Sequence, residues 1–452
     1  MKTTVERIQK NQVALEVEVD EAKLEQALEQ AYRKVVKKVN IPGFRKGKVP
    51  RPILEARLGK EVLYEDAIEL IIPEAYSQAV KEAAIDPVDQ PDISIVQLES
   101  GRPFIFKATV TVKPEVELGQ YKEIEAEKLD IAVTDEDVQN YLERLQQRHA
   151  KLVALEEGTV EKGDQVTIDF VGTINGEPFA GGKANEYNLE IGSGTFIPGF
   201  EEQLIGAAIG EEREVKATFP TDYYVQDLAG QDAVFQVTVK GIKRKELSPI
   251  DDEFAKDVSE FSTLEELKAD VAKSLQQGAE ARAKRAYEEE VVRKVVEAAQ
   301  VDIPTVMIDQ KAESMVDEFG QRLRFQGISL EQYLQFSDLT REQLKQQFWA
   351  QAEQAVKTNL VLEQIAKVEQ IEVSDEDFER EVVQMAEQYQ RDPVEMRKTM
   401  LGIRDSLDYR IKLDKVVKFL VEQSKSVVKP VTIEGLTKAT EEEKEIEAGA
   451  TE

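Results

Sequence analysis

The sequence predicts a multidomain α+β protein, and three observations carry that expectation. Two segments in the first 115 residues alternate apolar with polar positions, at Val13, Leu15, Val17 and Val19 and again at Phe104, Phe106, Ala108, Val110 and Val112. That two-residue period marks strands buried on one face. From about Gly158 to Ile242 short strand-like runs alternate with turns, among them Asn175-Gly176, the preferred pair for a two-residue hairpin. From about residue 246 to 430 the period is helical, as in Met307, Ile308, Met315, Val316, Phe319 and Leu323. A chain of 452 residues exceeds one hydrophobic core, so about three domains are expected.

Between the first strands, Leu24, Leu28, Ala31, Val35 and Val39 keep helical spacing with Asp20 as a candidate N-cap. The helix runs into residues 40–50, Asn-Ile-Pro-Gly-Phe-Arg-Lys-Gly-Lys-Val-Pro. Gly43 and Gly47 open backbone angles closed to other residues, while Pro42 and Pro50 fix theirs, so a rigid tip presenting Phe44, Arg45 and Lys46 is predicted. Residues 32–60 hold ten Lys or Arg, Lys48 among them, against Glu55 alone, a local charge of +9 in a chain of net charge -30. Such a reversal of sign is the footprint of a polyanion, though charge alone does not say which one.

An acidic segment follows Lys113-Pro114, and Thr134 to Asp137 opens a helix reaching about residue 150, with His149 at its end. Ser374 to Asp377 repeats that opening, and similar helix starts stand at Ser262 to Glu265, Ser329 to Gln332 and Thr340 to Gln343. The five internal methionines, Met307, Met315, Met385, Met396 and Met400, suit either an irregular core or an adaptable binding surface. Trp349 and Phe348 are assigned to the core. The Glu-rich end, residues 433–452, is expected to be disordered.

Several chemistries are excluded. No cysteine is present, so thiolate nucleophiles, thiolate metal sites and disulfides are impossible. A single histidine leaves little for zinc binding or imidazole catalysis, and no metal or cofactor is expected. Gly43 to Lys48 is one residue short of a phosphate loop and is followed by Val49 where a hydroxyl is needed; Gly192-Ser-Gly194 runs to Ile197 where a dinucleotide loop needs glycine. The first 19 residues lack the apolar core of about 7 to 15 residues that a signal peptide carries, and no run approaches the roughly 18 apolar residues of a membrane span. A soluble, cytoplasmic protein without membrane attachment is the expectation.

The middle segment places Phe170, Phe179, Phe196, Ile197, Phe200, Tyr223 and Phe235 at separated points. By composition they are core residues. Their setting, Asp-Phe-Val-Gly, then Phe-Ala-Gly-Gly, then Gly-Ser-Gly-Thr-Phe-Ile-Pro-Gly-Phe-Glu-Glu, then Phe-Pro-Thr-Asp-Tyr, resembles the FK506-binding type of peptidyl-prolyl isomerase, FKBP. The resemblance implies an FKBP-like antiparallel sheet with a short helix and an apolar catalytic pocket made by those seven residues. It departs at Phe170, where tyrosine is frequent, and at Ala180, where aspartate is, so macrolide affinity and any role for that carboxylate are not implied. The loop tyrosine is aligned as Tyr223 rather than Tyr224. Ile-Pro-Gly-Phe also occurs at residues 41–44, so the tetrapeptide itself specifies nothing.

Gly-Phe-Arg-Lys-Gly-Lys-Val-Pro behind a basic helix is similar to the docking signature of the trigger factor family of ribosome-associated bacterial chaperones. That resemblance implies five segments: a ribosome-binding α+β domain at 1–115, a linker and helix at 116–150 packing with the C-terminal domain, an isomerase domain at 151–245, a discontinuous all-α chaperone domain with arms at 246–432, and the tail. It further implies that Gly43, Phe44, Arg45, Lys46, Gly47 and Lys48 meet ribosomal protein and RNA on the large subunit beside the polypeptide exit. Nascent and unfolded polypeptides would be the clients, held without ATP; whether the chain forms a homodimer off the ribosome stays open on the residues. An isomerase of folded clients with scaffolding flanks, or an RNA-binding adaptor with an inert isomerase fold, stays open on the residues alone.

Overall fold

The computed structural model describes residues 1–432 except Lys60, Ser100, Thr221, Asp222 and 224–227. The acidic tail, the alternative Tyr224 and the side chain of Ala180 lie outside what is described. The described residues form two compact units, one of Met1–Glu127 with Ala286–Val427, the other of Lys128–Arg285 with Val428–Thr432.

Strands β1 (Lys2–Gln9) and β2 (Gln12–Val19) precede helices α1 (Glu21–Val35), α2 (Arg51–Leu58) and α3 (Glu61–Ala83), and β3 (Asp92–Gln97) and β4 (Phe104–Thr111) complete an antiparallel sheet ordered β1-β2-β4-β3. The predicted alternation is realised: Val13, Leu15, Val17, Val19, Phe104, Phe106 and Ala108 are buried in one cluster with Leu24, Leu28 and Ala31 of α1 and Leu63, Ala67 and Ile71 of α3. Each large side chain so buried contributes about 1.5–3 kcal/mol of transfer free energy. Two details differ from expectation. Asp20 is the N-cap residue of α1, but its side chain makes no cap bond; its carboxylate pairs with the N-terminal ammonium of Met1 at 3.0 Å. The helix also stops at Val35, four residues before Val39.

The acidic segment forms strands β5 (Val116–Glu117) and β6 (Glu125–Ala132), which its composition hid. Helix α4 (Asp135–Arg148) follows with a capping box between Thr134 and Asp137 and with His149 exposed at its C-terminus. Its Val138 and Leu142 pack against Phe254, Leu267 and Val271. Then come β7 (Lys151–Leu155), β8 (Gln165–Ile174), β9 (Glu177–Glu190), α5 (Phe200–Leu204), β10 (Glu212–Thr218) and β11 (Asp232–Glu246), an antiparallel sheet ordered β10-β11-β8-β9 with β7 beside β11. Asn175 and Gly176 link β8 to β9 with φ of 52° and 87°, the mirror-image turn that suits twisted strands.

The remaining residues are helical, as predicted, apart from two short strands: α6 (Asp252–Val258), α7 (Leu264–Ala298), β12 (Gln300–Val301), α8 (Thr305–Phe325), α9 (Leu330–Phe336), α10 (Arg341–Gln347), α11 (Trp349–Val368), α12 (Asp375–Gln388), α13 (Pro393–Leu401), α14 (Arg404–Gln423) and β13 (Lys425–Thr432). Capping boxes stand at Ser329/Gln332, Thr340/Gln343 and Ser374/Asp377. At α7 the device is shifted by one residue from the predicted Ser262/Glu265 pair: Glu266 N–H donates to the Thr263 hydroxyl and Ser262 N–H to the Glu266 carboxylate. Met396 is buried and the other four internal methionines are half-buried, so none is an open binding surface. Trp349 is half-buried against Ile308, Ala312 and Ala352. Within the first unit the N-terminal sheet region is joined to the helices through Asn11, which donates to the Asp302 carbonyl at 2.6 Å, and through the Lys113–Glu363 ion pair. Among the described residues no helix is long and apolar enough to cross a membrane.

Candidate functional sites, a basic tip and an aromatic bowl

The tip lies between α1 and α2. Ile41 and Val49 are buried in the N-terminal core and act as two anchors. Between them Pro42, Gly43, Phe44, Arg45, Lys46 and Lys48 are exposed, and Gly47 is half-exposed. Turns hold the shape: Phe44 N–H donates to the Ile41 carbonyl at 3.1 Å, Lys48 N–H to Arg45 at 3.0 Å, and Gly47 N–H reaches back to Val36 at 3.1 Å. Gly43 and Gly47 sit at φ of 92° and 79°, where a side chain strains the backbone although nothing crowds the space.

Charge divides this region in a way the sequence does not reveal. Arg33 pairs with Glu29, Lys34 with Asp66 and Glu69, and Arg51 with Glu25 and Glu55. Among the described residues Lys37, Lys38, Arg45, Lys46 and Lys48 form no ion pair. The +9 of the linear count is thus partly cancelled by acids from α1 and α3, and the free positive charge concentrates at the tip. Free cations of this kind can bind a polyanion at no cost in broken internal pairs.

The middle domain gathers the predicted aromatic residues into one network. Phe200, at the start of α5, is fully buried, and Phe170 and Phe235 are nearly so. Phe235 stands edge-on to Phe200 with centroids 5.1 Å apart, Phe170 lies 6.3 Å from each, and Phe196 stacks on Phe200 at 4.3 Å. Phe179 meets Phe235 at 6.0 Å, and Tyr223 joins through Phe219 at 4.8 Å. Ile197 is half-buried against the same cluster. Three of the seven, Phe200, Phe170 and Phe235, form the floor; Phe179, Phe196, Ile197 and Tyr223 keep a partly open side.

Four residues of this site escape a reading of the sequence. Phe219 bridges Phe179 and Tyr223, and Tyr187 packs on Phe196 at 5.4 Å. Phe219 opens the Phe-Pro-Thr-Asp-Tyr segment, so its aromaticity is a usable signal; Tyr187 stands apart from every such segment and carries none. Gly172 and Gly182 are the others. A Cβ on Gly172 would stand 2.5 Å from Phe235 and 2.9 Å from Phe179, and one on Gly182 would stand 2.8 Å from Phe179. These glycines let the rings close over the sheet. No cluster of His, Asp and Glu suited to a metal occurs among the described residues.

A five-stranded antiparallel sheet whose short helix presents a phenylalanine floor, with further rings as walls, is the arrangement of an FKBP-type peptidyl-prolyl isomerase domain set within a larger chain. Comparison with known proteins agrees: residues 156–240 match the family described as FKBP-type peptidyl-prolyl cis-trans isomerase, residues 1–145 that described as bacterial trigger factor protein, and residues 263–422 its C-terminus. The trigger factor of Desulforamulus reducens is 53% identical over 94% of this chain and 99% of its own, and that of Pelotomaculum thermopropionicum 52% identical over 94% and 98%. A solved trigger factor chaperone, from a study of its promiscuous substrate recognition in folding and assembly, is similar with a TM-score of 0.50 at 25% identity, covering 93% of this chain and 99% of that one. The chain belongs to the trigger factor family, chaperones that carry an FKBP-type isomerase domain. Members of that family bind the ribosome and unfolded chains.

Proposed function

We propose that this chain docks in the cytoplasm on the large ribosomal subunit beside the polypeptide exit, through Gly43 to Lys48, with Phe44, Arg45 and Lys46 touching ribosomal protein and RNA. The unpaired tip cations on a doubly anchored loop are the observation that carries this reading. Residues 1–115 form its docking domain, 116–150 a linking segment, 151–245 the isomerase and 246–432 the helical body; off the ribosome the chain pairs with a second copy. Ribosome co-sedimentation tests the docking: Phe44→Ala/Arg45→Ala/Lys46→Ala is expected to leave the pellet, and equal pelleting with wild type refutes the assignment.

Clients are held by the helical body without ATP. Support comes from large apolar side chains left in solvent there, Phe325 at 93% exposure and Phe336 at 89%, with Val394, Tyr389 and Ile403. Weak apolar contacts of this kind gain strength by acting together and with ribosome anchoring.

The aromatic bowl accelerates prolyl cis/trans exchange without covalent chemistry. The barrier, about 18–20 kcal/mol, is the loss of amide resonance on twisting. A planar amide is polar and well solvated, and a twisted one is less so. A floor of Phe170, Phe200 and Phe235 with Phe196 as wall therefore favours the twisted state over the planar one, which is differential binding of the transition state. Phe196→Ala, a half-buried change that spares the core, is expected to lower kcat/KM on a prolyl peptide by about tenfold or more; full activity refutes the site.

A further inference from the structure

Glu201 follows Phe200 in α5 and is only 5% exposed, one of two buried charged residues described, with Asp164. Asp164 has a cation, the Arg244 guanidinium, at 2.8 Å. Glu201 has none. Its carboxylate instead accepts four hydrogen bonds, all from one loop: Gly192 N–H at 2.7 Å and Gly194 N–H at 3.2 Å on Oε2, Phe196 N–H at 3.1 Å and the Ser193 hydroxyl at 3.4 Å on Oε1. Burial by itself raises a carboxyl pKa; the bonds from Phe196, Gly194, Gly192 and Ser193 outweigh it and hold this one below its ordinary value.

That loop delivers the wall residues Phe196 and Ile197; on its outer side the Lys162 side chain lies against Gly192, and the space beside Gly194 is open. A cleft of about 230 Å³ runs along it, lined by Lys162, Gly194 and Pro198, and no heavy atom lies within 4 Å of where a Gly194 Cβ would stand. Phe196 nonetheless stacks on Phe200 at 4.3 Å with an interplanar angle of 25°. The loop is held from within, by a carboxylate on the helix that also carries the floor.

We propose that Glu201 is a positioning residue of the isomerase, tying the 192–197 wall loop to the floor helix so that Phe196 and Ile197 keep their distance from Phe200. This rests on the reading of the aromatic set as the prolyl site. A carboxylate suits the task because it is acceptor-only: both oxygens face donors, and each bond to an ionised acceptor is roughly twice as strong as a neutral one. Glutamine keeps the shape but must turn an NH2 group toward backbone N–H donors, losing the two bonds on that side.

The test uses full-length Glu201→Gln, Phe196→Ala, the double variant, and Glu202→Gln as a control on the exposed neighbour, assayed on a proline-containing tetrapeptide. Glu201→Gln is expected to lose about tenfold in kcat/KM, Glu202→Gln nothing, and the double variant no more than the worse single one, since both act through the same wall. Full activity of Glu201→Gln beside a weakened Phe196→Ala overturns the positioning role and leaves the pocket standing. Full activity of Phe196→Ala overturns the pocket itself. Losses that multiply in the double variant also overturn the proposal, because Glu201 then acts elsewhere. Should Glu201→Gln not fold, amide exchange in the wild type decides: Gly192, Gly194 and Phe196 must exchange at least about 100-fold slower than free loop amides, and exchange at the free rate refutes the tie.

Discussion

Gly172→Ala is the sharpest probe of the bowl, because its consequence follows from distances. The new methyl carbon would sit 2.5 and 2.7 Å from Phe235 and 2.9 Å from Phe179. Carbon atoms rest at about 3.5–4.0 Å, so each ring must withdraw by roughly 1 Å. Neither is free to do so. Phe235 is backed by Phe200 at 5.1 Å and Phe170 at 6.3 Å, and Phe179 by Phe219 at 5.7 Å. Overpacking of this kind costs about 1–3 kcal/mol of stability, and a displacement near 1 Å in a positioned site costs up to about 100-fold in rate. Urea unfolding and a prolyl-peptide assay on the same preparations measure both. Gly241→Ala is the control: it lies in the same sheet at a non-positive φ with nothing within 4 Å of its Cβ, so it should be neutral to within about 0.5 kcal/mol. Unchanged stability and activity in Gly172→Ala would show that the rings are mobile, and the differential-binding argument, which needs rigid walls, would fail.

Three other outcomes are expected. Ribosome affinity should fall with salt, and Arg45→Ala should make the slope of log K against log salt shallower by about one if that side chain neutralises a phosphate; an unchanged slope means the tip meets protein alone. Asp164 and Glu201 both have carboxyls held below their ordinary range, against burial, Asp164 by Arg244 and the Glu161 N–H, Glu201 by its loop. A depressed folded-state pKa contributes stability that is complete above the unfolded value, about 4, and is lost as pH falls through the folded value; urea titrations of the isomerase domain from pH 6 downward should show that loss, and Asp164→Asn should flatten it. Phe325→Ser/Phe336→Ser should weaken suppression of aggregation of an unfolded client while changing stability by less than about 0.5 kcal/mol, given exposures of 93% and 89%; undiminished suppression removes those side chains from the client surface.

Much of this molecule is legible in its residues because the signals are local. Apolar periods of two and of helical spacing place strands such as β2, β4 and β8 and helices such as α8, and Ser or Thr followed three residues on by Asp or Gln places the starts of α4, α9, α10 and α12. The tip is visible as glycines and prolines around three cations. The acidic strands β5 and β6 are not visible, since their partners, not their composition, make them strands.

The sequence by itself determined the inventory: no thiol, one imidazole, a basic loop in an acidic chain, and aromatic residues in a fixed order. Local backbone preferences and covalent order need no folding to be read. Only the tertiary structure decided which charges are free, because Glu25, Glu29, Asp66 and Glu69 neutralise Arg51 and Lys34 across helices while Arg45, Lys46 and Lys48 keep their charge. It also decided that seven separated aromatic and aliphatic residues share one bowl, closed by Gly172 and Gly182 and held by Glu201. Pairing and packing depend on distances between residues far apart in the chain, and a linear sequence carries no such distances.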